Sequence, residues 1–447
     1  MATVSGPNLA AYLRDFVKKL YTKISVPSFV TDFATTAFPK LRPYSPSLVV
    51  IPTAGKVDTL PAVTPASGGD FTVDRNSVKY VLGSNGTLVS ASADTPAIEY
   101  NTDGSYKGLL VEPAATNLAT YSDDFNSVGW SLLDGNSQVT SDAAVSPDGT
   151  TNADKLEASN TSSVQKILRK TYSSSGENTF SIYAKAAELS YLHIDFSDIR
   201  SAIFDITAGS GSVVSSTGST YASIEDVGNG WYRCIVTTTL NSTFIDVQLY
   251  NGTTITFSAS IGDGVYIWGA QLEAGPIATS YIPTTTASVT RVKDDITQTS
   301  ASSLIGQTEG TLYLEVDWRY ATGTFQFLID VNSTGNQIAI YNDNSALIKM
   351  RAVANLVSAT DQGVSSSGYS GIQKIAFAYK TDDFELYRNG SSISSDTSGS
   401  LAALGTVTDI DLGQQGNQNL QANMWIRAVA LYPKRLSDAE AQALTTL

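Results

Sequence analysis

The sequence has very little of the chemistry that enzymes use for catalysis. It contains one cysteine, Cys234, and one histidine, His193, in 447 residues. A single cysteine excludes an intramolecular disulfide framework and a zinc site built from several thiolates. A catalytic triad would have to be built around His193, and no G-x-S-x-G motif accompanies it. We therefore predict that Cys234 is a buried structural thiol, that His193 is a packed or surface position on a strand, and that the protein is not an enzyme.

Charge and long apolar runs are also scarce. Charged residues make up 16% of the chain, and 28 basic against 42 acidic residues give a net charge of −14; about 25% charged residues is typical. Without a dense run of Lys or Arg, we expect no nucleic acid as a partner. The chain has no apolar run of the ~18 residues that a membrane span needs. It also lacks the start of a signal peptide, so we expect no membrane insertion.

The apolar residues near the N-terminus recur at the spacing of an amphipathic helix. After Asn8, which can cap a helix, one stripe consists of Leu9, Tyr12, Leu13, Phe16, Val17, Leu20 and Ile24. This stripe packs either on its own chain or, as we favour, between subunits or in a larger assembly. A membrane-surface helix is the remaining alternative, which the thin basic face disfavours. Residues 25–68 are punctuated by proline and predict an extended arm that contacts neighbours. Residues 1–68 are thus assigned as an anchoring helix and arm.

From about residue 70 the pattern is that of β-structure. Short runs of Val, Ile, Tyr, Phe and Thr alternate with turn dipeptides such as Asn251-Gly252 and Asn389-Gly390, which suit tight hairpins. The predicted fold class is mainly β, with two antiparallel β-sandwich (jelly-roll) domains in tandem after the amphipathic helix and the arm. The assigned boundaries are 69–125 for a short β leader, 126–285 for the first sandwich, 286–304 for a polar linker and 305–447 for the second sandwich.

The stretch "GAQLEAGPIATSYIPTT", Gly269 to Thr285, closes the first sandwich. The preceding run Val265 to Trp268 predicts its last strand, and Gly275-Pro276 predicts its end. We expect Glu273 to cap the strand end through hydrogen bonds rather than to bind a ligand. The five tryptophans lie in alternating apolar runs and are expected to pack in cores: Trp130, Trp231, Trp268, Trp318 and Trp425.

Several stretches resemble phage virion proteins in which a carbohydrate-binding-module-like jelly roll follows a short β leader. They are "GLLVEPAATNLATYSDDFNSVGW", "SPDGTTNADKL", "GWYRC" and "WGAQLEAGPIATSYIPTT". The C-terminal block resembles concanavalin A-like, laminin-G-type lectin domains. Its "FELYRNGSSIS" is similar to their penultimate hairpin, and "IRAVALYPKRLSDAEAQAL" to their closing strand and short helix. These motifs cover most of residues 70–447 and are marks of fold more than of ligand.

The resemblance implies a structural virion protein of a bacteriophage, as a fibre, decoration or adhesin subunit. The protein would be made in the host cytoplasm and displayed on the surface of the phage head or tail. Host-surface glycan attachment is the expected purpose. The alternatives are a purely architectural virion protein and a polysaccharide depolymerase. Expected partners are further copies of the chain, as a trimer, and other virion proteins through the helix and arm.

Candidate glycan contacts are Tyr341, Asn342 and Asp343, because the pattern places them between strands where side chains are free to bind. Asp148 and Asp154 lie near the predicted sandwich rims, where carboxylates can hold a structural calcium ion. No loop has the density of aspartate that a dedicated calcium site requires, so no metal or cofactor is predicted.

One strand raises the question of catalysis. Glucanases with a concanavalin-like fold carry three carboxylates on one face of a strand. Here Glu315 and Asp317 supply two, but Arg319 and Tyr320 stand where the third is needed. We therefore expect Glu315 and Asp317 to be solvent-facing positions of a half-buried strand and the protein to release no oligosaccharide.

Overall fold

The computed structural model describes residues 46–447 apart from short gaps, which are residues 54–58, 63–69, 134, 174, 197–199, 219–220, 241–242, 319–324, 366–370 and 417–419. The described chain consists of antiparallel strands and one short helix near its end. The predicted mainly-β class with antiparallel sandwiches is confirmed. The predicted N-terminal helix and its apolar stripe lie outside the described residues.

The strands before residue 130 are short: β1 (Leu48–Val50), β2 (Thr59–Leu60), β3 (Phe71–Asp74), β4 (Lys79–Leu82), β5 (Leu88–Ala91), β6 (Ile98–Tyr100), β7 (Tyr106–Val111) and β8 (Ala115–Asn117). The next group is β9 (Ser131–Leu132), β10 (Ser137–Val145), β11 (Thr151–Ala158), β12 (Ile167–Thr171), β13 (Gly176–Ala186), β14 (Tyr191–Phe196), β15 (Arg200–Asp205), β16 (Ser212–Thr217), β17 (Tyr221–Gly228), β18 (Trp231–Leu240), β19 (Phe244–Tyr250) and β20 (Gly264–Ala274). The last group is β21 (Val289–Arg291), β22 (Asp295–Gln298), β23 (Glu309–Trp318), β24 (Gln326–Ser333), β25 (Asn336–Asn342), β26 (Leu347–Ala354), β27 (Val357–Ser365), β28 (Ile372–Lys380), β29 (Asp383–Arg388), β30 (Ser391–Asp396), β31 (Asp409–Leu412), β32 (Met424–Tyr432) and the helix α1 (Asp438–Thr445).

The chain divides into two compact units. The central unit is Asp74–Asp294, and the terminal unit combines Asp295–Leu447 with the described residues up to Val73. The central unit contains two sheets of six strands, with the orders β10-β11-β20-β13-β18-β17 and β16-β15-β14-β19-β12-β9. Alternate apolar side chains of both sheets form one core, in which Phe180, Leu192 and Val247 are fully buried. This is the sandwich that period-two alternation predicts.

One outer face of the central sandwich is covered by the chain's own apolar segments. Leu82 and Leu88 of the β4–β5 hairpin pack with Trp231 and Trp268, which point away from the core. Tyr281, from the stretch after β20, packs against Trp268, and the two ring centroids are 4.5 Å apart. The "SYIPT" segment therefore closes the first sheet's outer face.

The terminal unit is a second pair of sheets. One has the order β30-β29-β28-β23-β32, with β1 also pairing with β32, and the other has the order β2-β3-β22-β31-β24-β25-β26-β27. Along β26 the burial alternates strictly, with Ile348, Met350 and Ala352 fully buried. Leu48–Val50, within the predicted arm, is also buried. This part of the arm packs as a strand within its own chain instead of reaching for neighbours.

Helix α1 covers the outer face of the sheet that contains β23. Leu436, Ala441 and Leu444 pack with Tyr313 and Tyr387 in a cluster on that side. The helix begins with a capping box, in which the Ser437 side chain accepts from the Glu440 amide and the Glu440 side chain accepts from the Ser437 amide. Among the described residues, no helix has the length and apolar character needed to cross a membrane.

Residues 286–304, predicted to be a linker, contain two strands. β21 pairs with β8 in the central unit, and β22 pairs with β31 in the terminal unit. Arg291, Asp294 and Ile296 are each 1% exposed. The charges of Arg291 and Asp294 are paired in the interior, whereas residues 286–290 are exposed.

Candidate functional site

The second sheet of the central unit presents an outer face that is both aromatic and polar. On β14, Leu192 and Ile194 enter the core, so Tyr191 and His193 point to the other side. On β19, Val247 and Leu249 enter the core, so Gln248 and Tyr250 also point outward. We call the outward residues Tyr191, His193, Asp195, Asp246, Gln248 and Tyr250 the Tyr191–Tyr250 face.

Strand register places these residues side by side. Tyr191 lies opposite Tyr250, and His193 lies opposite Gln248. The two tyrosine rings meet edge to face, with centroids 6.1 Å apart and an interplanar angle of 71°. The His193 ring lies 6.5 Å from the Tyr250 ring. A row of aromatic rings thus borders a row of hydrogen-bonding groups.

Two polar atoms on this face are buried without partners. His193 is 8% exposed and Gln248 is 3% exposed. Among the described residues, neither Nδ1 of His193 nor Oε1 of Gln248 has a hydrogen-bond partner. An unsatisfied buried polar group costs about 1–3 kcal/mol, so native proteins keep few of them. Burial lowers the pKa of His193, and the Gln248 side chain and the Asp246 charge oppose the shift only in part. His193 is therefore neutral at pH 7, with one nitrogen to donate and one to accept.

A charged pair lies beside these atoms on the same face. Arg169 of β12 donates from Nε and Nη2 to the two carboxylate oxygens of Asp246, both at 2.6 Å. The Arg169 guanidinium also lies 3.4 Å above the centroid of the Phe244 ring. Because each charge is matched within the pair, this pair holds the position of Asp246 without giving the face a net charge.

Apart from the Asp195 carboxyl group and the Arg169–Asp246 pair, the face presents neutral groups. Its aromatic rings offer apolar contact, and the neutral imidazole and amide offer hydrogen bonds in a place that water reaches poorly. Among the described residues, no group of three or more His, Cys, Asp or Glu side chains is arranged to hold a metal ion. A ligand with an apolar side and several hydroxyl or amide groups would match this surface.

The structure does not present the three predicted glycan contacts to solvent. Tyr341 is 2% exposed and Asn342 is fully buried, and both lie in β25 rather than between strands. Tyr341 stacks on Phe327 and donates from its hydroxyl to Asp361 at 2.6 Å. Asp343 is 7% exposed and accepts from the Leu347 amide. The expectation that these side chains are free is wrong, because the strand continues two residues beyond its apolar run.

The expectation for the β23 carboxylates is wrong for one of the two. Glu315 is 5% exposed, whereas Asp317 is partly exposed. Arg427 of β32 donates from Nε to Glu315 at 2.9 Å, and Lys374 of β28 lies 3.8 Å away. Neighbouring strands thus neutralise Glu315, which is a feature that the strand's own sequence does not reveal.

Other predicted residues lie where the sequence placed them. Cys234 is fully buried, and burial raises the pKa of its thiol well above the ordinary value. All five tryptophans are buried, with exposures between 1% and 6%. Glu273, the penultimate residue of β20, accepts from the Thr279 amide and from the Gln271 side chain, as expected for a residue that caps the strand end.

The two aspartates near the sandwich rims have local partners. Asp148 accepts from the Ser146 hydroxyl and from the Thr150 amide, and so organises a turn. Asp154 accepts from the amides of Phe125 and Asp142. Burial raises the pKa of Asp154 to about 6, although these amide hydrogen bonds oppose the shift.

Sequence reasoning missed the Tyr191–Tyr250 face. The signal was present in "YLHIDF" and "FIDVQLY", where every second residue is aromatic or polar while the alternates are apolar. Either run alone reads as an ordinary half-buried strand. Pairing β14 with β19 in register is needed to show that the two tyrosines and the two hydrogen-bonding side chains meet.

The fold defines a mainly-β protein made of antiparallel sandwiches. No model of a known protein family matches the chain, and no curated protein matches it. Among solved structures, the CBM40 of Ruminococcus gnavus IT-sialidase bound to α2,3-sialyllactose is similar at 16% identity and a TM-score of 0.29, covering 33% of this chain and 87% of that one. A binding domain of botulinum neurotoxin DC in complex with rat synaptotagmin II is similar at 16% identity and a TM-score of 0.30, covering 34% of this chain and 40% of that one.

Proposed function

We propose that this protein is a lectin-like attachment protein that binds glycan through the Tyr191–Tyr250 face. The observation that carries the proposal is the pair of buried, unpartnered atoms His193 Nδ1 and Gln248 Oε1 beside the two tyrosine rings. A sugar residue can hydrogen-bond to the unpartnered polar atoms and pack against the aromatic rings. Its hydroxyl groups both donate and accept hydrogen bonds, and its C–H face is apolar enough to lie against an aromatic ring.

The location of the face supports the same proposal. The other outer face of the central sandwich is closed by Leu82, Leu88 and Tyr281. On the Tyr191–Tyr250 face, Tyr191 and Tyr250 remain partly exposed. An aromatic surface with a few placed polar groups is the usual composition of a small-molecule site.

The finer part of the proposal is a place in a bacteriophage virion. It is supported by the resemblance of residues 108–130, 146–156 and 268–285 to phage virion proteins. In this proposal the stripe from Leu9 to Ile24 attaches the protein to copies of itself, as a trimer, or to other virion proteins on the head or tail. The protein is assigned no catalytic role, which fits the neutralisation of Glu315 by Arg427.

A glycan array probed with the full-length protein tests the binding proposal. Variants Tyr250→Ala and Gln248→Leu should each weaken binding to any retained glycan by roughly tenfold, which corresponds to about 1.4 kcal/mol. Gln248→Leu is informative because it replaces an unsatisfied buried amide with an apolar side chain of similar size. It should therefore leave the thermal stability unchanged or raise it while it weakens binding.

Tyr221→Ala is the matched control. Tyr221 is 68% exposed on β17, which belongs to the other sheet of the central unit. Its removal should leave glycan binding unchanged. If no glycan is retained, the protein is an architectural virion protein and the lectin proposal is wrong. If glycan is retained equally by Tyr250→Ala and Tyr221→Ala, the site has been assigned to the wrong surface.

A further inference from the structure

The terminal unit contains a pocket that is separate from the Tyr191–Tyr250 face. It has a volume of about 360 Å³ and opens where the β24–β25 and β26–β27 hairpins end. Its lining is mostly polar and includes Asp330, Asn332, Gln337, Arg351, Leu356 and Gly416. We call it the Asp330 pocket. The volume is at the lower end of the range for small-molecule sites, so the pocket has room for one small ring.

Asp330 lines this pocket next to a second buried carboxyl group. It is 1% exposed and lies opposite Asp411 of β31, which is 3% exposed. The Asn332 amide joins them, donating to Asp330 at 3.2 Å and to Asp411 at 2.6 Å. Burial, and then the charge of Asp411, raise the pKa of Asp330 well above its ordinary value. The pocket lining therefore includes a buried carboxyl group, with the Asn332 and Gln337 side chains as its hydrogen-bonding neighbours.

Two atoms of the pocket lining are buried and unmatched. Among the described residues, Oδ1 of Asp330 accepts no hydrogen bond, and Nε of Arg351 donates none. Strand register places Asp330 and Arg351 on either side of Ala339, so both lie on the same face of the sheet, yet these two atoms do not bond to each other. An acceptor and a donor without partners therefore belong to two residues that line the same small pocket.

The chemistry of the two open atoms restricts the ligand. A carboxylate or phosphate would suit Arg351 but brings no hydrogen to the unpartnered acceptor Oδ1 of Asp330, and an ammonium group would suit Oδ1 but would meet the guanidinium of Arg351. A pair of neighbouring hydroxyl groups satisfies both, because one hydroxyl donates to Asp330 while the next accepts from Arg351. The amides of Asn332 and Gln337 provide further hydrogen-bonding groups in the lining.

The rim adds an apolar contact. Leu356 is 82% exposed, and it and Asn355 have φ angles of 65° and 49°. A left-handed conformation is an outlier for a bulky side chain such as leucine. The Leu356 amide donates to the Gly335 carbonyl at 2.7 Å, which holds the side chain at the pocket mouth. An exposed leucine in a strained turn is suited to cover the C–H side of a bound ring.

We propose that the Asp330 pocket binds one neutral sugar residue through two adjacent hydroxyl groups, one donating to Asp330 Oδ1 and the other accepting from Arg351 Nε. The proposal does not depend on the Tyr191–Tyr250 face. If both sites bind, the chain is bivalent and its attachment to a multivalent surface gains avidity without any new contact.

The probes are the methyl glycosides of glucose, galactose and mannose, with glucosamine as the charged comparison. Saturation-transfer NMR on the full-length protein reports binding, and hydrogen-exchange mass spectrometry locates it. We expect at least one neutral glycoside to bind and to protect peptides covering residues 333–337 and 351–356. Asp330→Asn and Arg351→Lys should each weaken this binding at least tenfold.

Two control variants show whether binding depends on this pocket in particular. Asp317→Asn makes the same chemical change on the opposite sheet and should leave binding intact, and so should Tyr221→Ala in the central unit. If Asp330→Asn does not fold, Arg351→Lys and the exchange map of the unmodified protein decide the result. The proposal is overturned if no neutral glycoside protects the pocket peptides, if both pocket variants bind normally, or if glucosamine alone binds.

Discussion

Asp294 is the common acceptor in a buried ion network of the central unit. Its carboxylate accepts from Arg75 Nη1 at 3.0 Å, from Lys79 Nζ at 2.6 Å and from the Glu112 amide at 2.8 Å. Asp294 and Arg75 are each 1% exposed, and Lys79 is fully buried. Glu112 is the second carboxylate and lies 3.1 Å from Lys79. The network ties the segment after the first sandwich to the leader strands before it.

The substitution Asp294→Asn keeps the shape of this side chain and removes its charge. Lys79 would then keep its ion pair with Glu112, and Arg75 would keep the carbonyl oxygens of Ser77 and Ser92 as acceptors. Breaking a buried ion pair by removing one partner costs about 3–5 kcal/mol. For a unit of this size, each kcal/mol lowers the melting temperature by about 2–4 °C, so the expected fall is roughly 6–20 °C.

Differential scanning calorimetry of the full-length protein measures this change, and hydrogen exchange at β4, β7 and β21 assigns it to the central unit. The control is Glu188→Gln, which removes a partly exposed bridge to Lys155 and should cost less than about 1 kcal/mol. If Asp294→Asn lowers stability no more than Glu188→Gln does, the network does not hold these segments together and the reasoning is refuted.

The dependence on pH provides an independent check. Burial alone would raise the pKa of Asp294, but the charges of Lys79, Arg75 and Arg291 outweigh it and hold the pKa below its ordinary value. An acid with a depressed folded-state pKa contributes stability above its unfolded pKa, about 3.9, and loses it as the pH falls through the folded value. The unmodified protein should therefore lose stability steeply below about pH 4, and Asp294→Asn should show a shallower loss.

Three further outcomes are expected. The Cys234 thiol should not react with a disulfide reagent in the native protein and should react fully after denaturation; reaction at native conditions would contradict its burial. Trypsin should cleave slowly after Arg291, which is 1% exposed, and rapid cleavage there would support the linker interpretation of residues 286–304. Replacing Leu13 and Phe16 with Asp should abolish oligomerisation or particle incorporation and leave both sandwiches folded, whereas unfolding of the sandwiches would show that the stripe packs within its own chain.

Local sequence determined the features of the fold that depend on neighbouring residues. The Asn389-Gly390 dipeptide predicts a tight hairpin, and the two residues have φ angles of 47° and 83° between β29 and β30. Trp318 and Trp425 lie within apolar strands, and the local pattern predicts their burial. Trp231 and Trp268 are buried because the β4–β5 hairpin and Tyr281 cover them. The same reasoning predicted that Glu273 would accept hydrogen bonds after β20, since Thr279 is only a few residues away.

Features that depend on residues distant in the sequence could not be predicted from the local pattern. Glu315 is buried because Arg427, 112 positions later, lies on the adjacent strand. Tyr341 is covered by Phe327 across a strand pair, so a residue that appears to end a strand belongs to its interior. The residues around Asp294 have the composition of a linker, and only the ion pair between Asp294 and Lys79 shows that Asp294 is buried.

In each unit, one outer face is covered by apolar residues and the other carries a buried polar oxygen without a partner in the described part of the chain. This difference supports a binding role. In the central unit, Tyr281 and the β4–β5 hairpin close one face, and in the terminal unit helix α1 does so. The opposite faces carry Gln248 and Asp330, each with a buried oxygen that has no partner among the described residues. A face that served only to be solvated could use serine or threonine at these positions and avoid a cost of about 1–3 kcal/mol per group. A bound hydroxyl group would remove this cost, so a glycan should stabilise the folded protein through Gln248 and through Asp330. If one of these two residues contributes no such stabilisation, its role is purely structural.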